Sequence, residues 1–132
     1  MPRADAIGIV VSDVRRAVAF YGLLGLEFPE VPDGEVAGHI EAELPGGIRL
    51  MLDSEEVVRS FDPDWSPPDG GQRVAIAFLC DSPTDVDRVH GDLIDAGATD
   101  SNPPWDAPWG QRYAQITDPD GNAIDLFAPL AD

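Results

Sequence analysis

The sequence predicts an α+β fold in which one module is written twice. Three observations carry this reading. Two apolar, strand-like runs, AIGIVVSD (6–13) and VAIAFLCD (74–81), each lead directly into an amphipathic helical stretch. Each helical stretch is followed by polar, alternating segments closed by a tight-turn sequence, Pro45-Gly46-Gly47 in the first half and Asp118-Pro119-Asp120-Gly121 in the second. The piece between the halves, DSEEVVRSFDPDWSPPDGGQR (53–73), has no counterpart and reads as a connector. The 132 residues are therefore expected to form a single domain, 1–132, with module one at about 5–53, the connector at about 54–73 and module two at about 74–128.

The elements follow in order. Strand Ile7–Val11 runs into Ser12-Asp13, both good N-cap types. Val14, Ala17, Val18, Tyr21 and Leu24 then recur at helical spacing, and Gly22 or Gly25 ends the helix. Leu26-Glu27-Phe28 resumes extended structure, and the turn-rich piece PEVPDGEVAG (29–38) leads to the hairpin HIEAELPGGIRLML (39–52). In the connector, SEEVVRSF has the pattern of one or two helical turns, and the remainder is Pro/Gly-rich loop carrying Phe61 and Trp65. The second helix, about Thr84–Ala96, places Val86, Val89, Leu93 and Ile94 on one side. A second turn-rich piece, DSNPPWDAPWG (100–110), carries Trp105 and Trp109 and precedes the final hairpin QRYAQITDPDGNAIDLF (111–127).

Alternation along a strand sends neighbours to opposite faces. The helices are expected on the more apolar face, over Ile7, Ile9 and Val11, over Val74, Ile76 and Phe78, and over Ile40, Ala42 and Leu44. Arg112, Ala114, Ile116, Ile124 and Leu126 share that side, as does Cys80. The open face then has Ala6, Gly8, Ala75 and Ala77 at its centre, surrounded by His39, Glu41, Glu43, Tyr113, Gln115 and Asp125. Small residues ringed by polar ones leave room for a ligand. The competing reading is close packing, with loops or a second chain filling the space.

Composition removes several function classes. Eight Lys+Arg against 25 Asp+Glu give a net charge of −17, which argues against nucleic acid and anionic membrane as partners. The same charge raises the local concentration of cations, although its commoner role is solubility. One cysteine, Cys80, excludes an internal disulfide, and no apolar run approaches the ~20 residues of a membrane span. MPRADAIG lacks the long apolar stretch of a signal peptide, so a cytoplasmic protein is expected. No Gly-rich phosphate loop opens a helix, and neither Ser12 nor Ser101 sits in a nucleophile motif. Asp13, Asp118 and Asp120 read as cap and turn residues, Arg112 as paired within its own fold and Tyr21 as core.

The segments IGIVVSDVRRAVAFYGLLGLEF (7–28) and PWGQRYAQITDPDGNAIDLF (108–127) resemble the vicinal oxygen chelate superfamily, which includes glyoxalase I, extradiol dioxygenases and bleomycin-resistance proteins. The second segment is the more specific, with its Trp-Gly-x-Arg strand, DPDGN turn and acidic-residue strand in that order. The resemblance covers nearly the whole chain. It implies two βαβββ modules forming a curved, eight-stranded mixed sheet around a cleft, usually in a homodimer. In the enzymes of that family, His, Gln or Glu ligands occupy four inward strand positions. Matched residue by residue, these fall on Ala6, Leu50, Ala75 and Asp125. Three of the four have no donor atom, whereas a divalent transition metal needs three or more protein ligands. The expectation is thus no metal and no other cofactor.

By resemblance, the metal-free, drug-sequestering branch fits best in size, acidity, missing ligands and aromatic loops. Such proteins neutralise an antibiotic by binding it, which confers resistance without chemistry. The expected partner is a small aromatic or cationic natural product. The expected site comprises His39, Glu41, Phe61, Trp65, Trp105, Trp109, Tyr113 and Asp125. Planar rings stack on flat ligands, adding about 0.5–1.5 kcal/mol per pair, and carboxylates attract a cationic group. Two alternatives stay open: a lyase, isomerase or dioxygenase-related enzyme of the same fold, and an interaction domain without a small ligand.

Overall fold

Each helix begins at a side-chain oxygen. Asp13 caps α1 (Val14–Gly22), accepting from the Arg16 amide at 3.1 Å. Ser54 caps α2 (Glu55–Phe61) through the Val57 amide at 3.1 Å, and Ser82 caps α3 (Pro83–Asp95) through the Asp85 amide at 3.2 Å. These oxygens satisfy first-turn amides that lack a partner inside the helix. The computed structural model describes residues 1–35 and 37–131; Val36, inside the turn-rich piece 29–38, and Asp132 lie outside them.

The chain divides into two compact units, Met1–Asp69 and Gly70–Asp132. In the first, β1 (Ala6–Val11), β2 (His39–Glu43) and β3 (Arg49–Ser54) form a sheet in the order β1-β3-β2. In the second, β4 (Ala75–Leu79), β5 (Thr99–Ala107), β6 (Gln111–Thr117) and β7 (Ala123–Pro129) are ordered β4-β7-β6-β5. The first strand of each unit runs parallel to the last, and that last strand is antiparallel to its hairpin partner. Parallel neighbours need a long crossover, which contains α1 in one unit and α3 in the other. The turn at Gly46 and Gly47, with φ of 92° and 89°, demands glycine at both places and closes the β2–β3 hairpin.

The cores form on the helix side, as alternation predicts, except at Ile7, which is 37% exposed near the start of β1. In the first unit Val11, Ile40, Ala42, Leu50 and Leu52 are buried with Val14, Ala17, Phe20 and Tyr21 of α1. The Phe20 and Tyr21 rings meet edge to face at 5.4 Å. Phe20 lies outside the helical series read from the sequence. In the second unit Ala114, Ile116, Ile124 and Leu126 are buried with Val86 and Leu93 of α3, which packs on β5, β6 and β7. Arg112 stands on the same side and donates to Asp87 of α3 at 3.0 Å and Asp106 of β5 at 3.1 Å.

Several expectations need correction. The described residues contain seven strands, not eight: Leu26-Glu27-Phe28 does not become a strand. The expected turn-rich piece 100–110 is mostly strand, β5, despite Pro103 and Pro104. Prolines are tolerated there because β5 is the last strand in the order, and its register shifts twice between Asp100 and Trp105. Val74 is 74% exposed ahead of β4 rather than covered. Cys80 is half-buried one residue beyond β4, not within it, and burial pushes its thiol pKa up. Finally, the caps Asp13 and Ser82 align Ala6 with Ala75, one residue off the alignment of AIGIVVSD with VAIAFLCD.

Candidate functional site

Each unit presents an open face on the side of its sheet away from the core, and the two faces differ chemically. On the first, His39 lies opposite Asp53, and Glu41 opposite Met51. The His39 ring contacts a carboxylate at each nitrogen, Asp53 from Nδ1 at 2.6 Å and Glu41 from Nε2 at 3.0 Å. Arg49 then donates to Glu41 at 2.7 Å and to Asp5 at 2.6 Å. The result is a chain of alternating charge, Asp53–His39–Glu41–Arg49–Asp5. The hydrogen bonds to Asp53 and Glu41 raise the His39 pKa. Arg49, with His39 second, holds the Glu41 carboxyl below its ordinary value.

On the second face the polar groups converge on one carboxylate. Gln115 lies opposite Asp125 and donates to it at 3.2 Å. Tyr113 precedes Gln115 by two residues on β6 and shares its face. Burial first, and the Asp125 carboxylate second, push the Tyr113 pKa up to about 12. Above this group stands an aromatic array. Trp109 meets Trp105 at 5.6 Å and Tyr113 at 5.4 Å, both edge to face. Trp109 sits in the β5–β6 turn rather than at the start of a strand, is 56% exposed, and is oriented by its Nε1–H bond to Gln111 at 2.9 Å. Ala75 and Ala77 on β4 remain exposed, so among the described residues no large side chain covers this part of the sheet.

The structure therefore joins Trp105, Trp109, Tyr113 and Asp125 in one unit and His39 with Glu41 in the other. Phe61 ends α2, 72% exposed. Trp65 follows it with its ring 5.2 Å from the Arg59 guanidinium. A separate hollow of about 500 Å³ opens in the first unit between the starts of α1 and α2, bounded by Asp13, Arg15, Glu35, Ser54, Glu56 and Arg59. None of the expected site residues lines it.

Asp53, Arg49, Asp5 and Gln115 complete the two networks without standing among the expected site residues. The signal for Asp53 and Arg49 is alternation continued through Arg49, Met51 and Asp53, a strand two residues longer than the hairpin read from sequence. The same alternation corrects Leu50. It is fully buried on the helix side, and Met51 takes the open-face position. The positions matched to metal ligands are then Ala6, Met51, Ala75 and Asp125, with a single oxygen donor among them. That set does not fit a divalent ion needing three or more protein ligands. Among the described residues no group of three or more His, Cys, Asp or Glu is placed to share an ion. No helix of the described residues is long and apolar enough to cross a membrane.

The sequence profile of the Glyoxalase/Bleomycin resistance protein/Dioxygenase superfamily matches residues 3–126. Among solved structures, a glyoxalase/bleomycin resistance protein/dioxygenase from Nocardioides is 26% identical, with a TM-score of 0.70 over 98% of this chain and 85% of that one. A glyoxalase/bleomycin resistance protein/dioxygenase family enzyme from Burkholderia phytofirmans PsJN reaches a TM-score of 0.80 at 19% identity, covering 98% of this chain and all, 100%, of that one. TioX from Micromonospora sp. ML1 matches at 0.64 with 21% identity over 98% and 100% of the two chains. At these lower identities the likeness concerns the fold. A search among curated proteins returns no match.

Proposed function

The chain belongs to the glyoxalase/bleomycin resistance protein/dioxygenase superfamily, and we propose that it binds a small organic molecule without transforming it, most simply a flat antibiotic or related natural product that it sequesters. The observation that carries this reading is the array of Trp105, Trp109 and Tyr113 beside Asp125 on the second unit. Exposed indoles are costly to leave in water unless a partner covers them. Rings held edge to face offer a flat ligand both a wall and a stacking partner, at about 0.5–1.5 kcal/mol per aromatic pair. Asp125 supplies a carboxylate for a cationic or hydrogen-bonding group, and Ala75 and Ala77 leave the sheet low beneath it. On the first unit, His39 and Glu41, with Phe61 at the end of α2 and Trp65 after it, are proposed as ligand contacts in their own right. A homodimer in the cytoplasm, free of metal, completes it; the donor count supports the last point.

Tryptophan fluorescence during titration with a panel of antibiotics tests the reading. Saturable quenching by at least one planar compound, lost in Trp105→Ala and Trp109→Ala, is the expected result. A tightly held stoichiometric divalent ion in the purified protein, or turnover of the bound compound, would replace sequestration with catalysis.

A further inference from the structure

The outer edge of β2 differs from its counterpart in the second unit. The Ser54 amide donates to the Gly38 carbonyl at 2.8 Å and the Leu44 amide to the Ile48 carbonyl at 2.7 Å, at the two ends of the β2–β3 ladder. Bonded and unbonded pairs alternate between antiparallel strands. Ile40 with Leu52 and Ala42 with Leu50 are therefore bonded pairs as well, while His39, Glu41 and Glu43 turn their N–H and C=O groups to the other edge. Among the described residues no backbone bond reaches those groups. β6 holds the same place in the second unit, and there β5 covers that edge, with Trp105 opposite Tyr113, Asn102 opposite Gln115 and Thr99 opposite Thr117. The first unit has no such strand among the described residues. Its loop between α1 and β2 is instead tied to α1 through Arg15, which donates to the carbonyls of Val31, Pro32 and Glu35.

We propose that the outer edge of β2 is a docking surface for an extended basic segment of a partner protein, added antiparallel to His39–Glu43 as β5 is added to β6. Partner residues opposite His39, Glu41 and Glu43 exchange both backbone bonds with them, and those opposite Ile40 and Ala42 turn their amides to solvent. Side chains set the class of partner. On the open face Asp5, Glu41, Glu43 and Asp53 stand against Arg49 and His39, so Lys or Arg fits opposite Glu41 and Glu43. Ile40 and Ala42 are buried on the helix side, so an apolar residue fits opposite each. The net charge of −17 draws such a segment in. A second copy of this chain fits worse. A two-fold pair that engages all three residues centres on Glu41 and sets the two Glu41 carboxylates opposite each other. The edge lies in the first unit, and its role does not depend on the ligand proposed for the second.

The test is amide hydrogen exchange by NMR on the full chain, titrated with a capped Lys-Val-Lys-Val-Tyr peptide. In the free protein the His39, Glu41 and Glu43 amides are expected to exchange at least about tenfold faster than those of Ile40 and Ala42. Saturating peptide slows the three by about tenfold or more. A peptide N-methylated at both lysines has no such effect, whereas one methylated at both valines acts like the parent. Glu43→Lys weakens binding of the parent about three- to tenfold. The proposal is overturned if the peptide leaves the three amides exchanging freely, if they are already protected in the free chain, or if the two methylated peptides act alike. Equal binding of a peptide with Asp in place of both lysines overturns it too. So does protection that grows with protein concentration alone, which assigns the edge to a second copy.

Discussion

Met51 and Asp125 hold the same place in the two sheets. Met51 pairs with Gly8 on β1 and Glu41 on β2, and Asp125 pairs with Ala77 on β4 and Gln115 on β6. One position thus carries a thioether in one unit and a carboxylate in the other. Met51 lies over the bare backbone of Gly8, with its Cε 3.4 Å from where a Cβ would stand. Its own side chain fills the centre of the first face, which leaves charge pairing to the margin, at His39 and Arg49. In the second unit the short Ala77 leaves Asp125 half-buried, and Gln115 bonds to it.

Two glycines of the first unit are expected to behave oppositely. At Gly8 an added methyl meets Met51 at ordinary contact distance, and the backbone is extended. Gly8→Ala is therefore expected to stabilise the protein by about 0.4–1 kcal/mol, through the unfolded chain. At Gly38 the methyl would lie 2.6 Å from Val57 Cγ2, on a β-branched side chain with little freedom to move. Gly38→Ala is expected to cost about 1–3 kcal/mol. Urea midpoints at equal m-values measure both, and equal shifts in the same direction would contradict the packing described.

Among the described residues Asp118 is the one buried charged group, 2% exposed at the head of the DPDGN turn. Its Oδ1 accepts from the Asp120 amide at 2.8 Å and the Asn122 amide at 2.9 Å, and Oδ2 accepts from Asn122 Nδ2 at 2.8 Å. Asp118→Ala strands these donors and is expected to destabilise by about 3 kcal/mol. Asp118→Asn keeps an oxygen for the two amides but turns an N–H toward Asn122, so about 1–2 kcal/mol is expected. The reverse ranking in denaturant melts would mean that the turn is held by something other than this carboxylate.

The doubling, the helix caps and the helix-facing core were legible because each rests on local periodicity or on a single residue type. Asp13 announces α1, and Ile124 and Leu126 announce the buried side of β7. What was not legible depended on pairing between distant segments. β5 forms through Pro103 and Pro104 because only one of its edges is bonded, which no property of DSNPPWDA reveals. The assignment of Leu50 to the open face came from matching a family pattern along the chain. A one-residue slip there exchanges the two faces of a strand. The His39–Asp53 contact depends on β3 continuing to Ser54, past the point where the connector was expected to begin.

If the second face binds a flat ligand, its two kinds of contact separate by mutation. Trp109→Ala removes a stacking surface and is expected to weaken any planar ligand about three- to tenfold, charged or not. Asp125→Asn keeps the shape and removes the charge, so it weakens a cationic ligand and spares a neutral one of the same outline. Calorimetric titration with a matched pair of probes, ethidium and an uncharged polycyclic, gives both numbers. Equal losses for the two probes in Asp125→Asn would remove the carboxylate from the recognition argument.

Tyr113 gives a pH dependence whose sign is fixed. Its pKa rises from 10.0 to about 12, first because burial penalises the phenolate, and then because the Asp125 carboxylate favours the protonated hydroxyl as an acceptor and repels the phenolate. A folded value above the unfolded one means that the native state holds the proton more tightly. The contribution to stability is thus complete below pH 10.0 and is lost as pH climbs toward about 12. Ultraviolet titration of the phenols, with Tyr113→Phe to assign the transition, should place Tyr113 near the upper end of that window. Asp125→Asn should lower its midpoint without returning it to the ordinary value, since burial, the larger cause, remains. A Tyr113 that ionises normally in the folded protein would mean that its hydroxyl faces water, and the polar floor beneath the tryptophans would have to be redrawn.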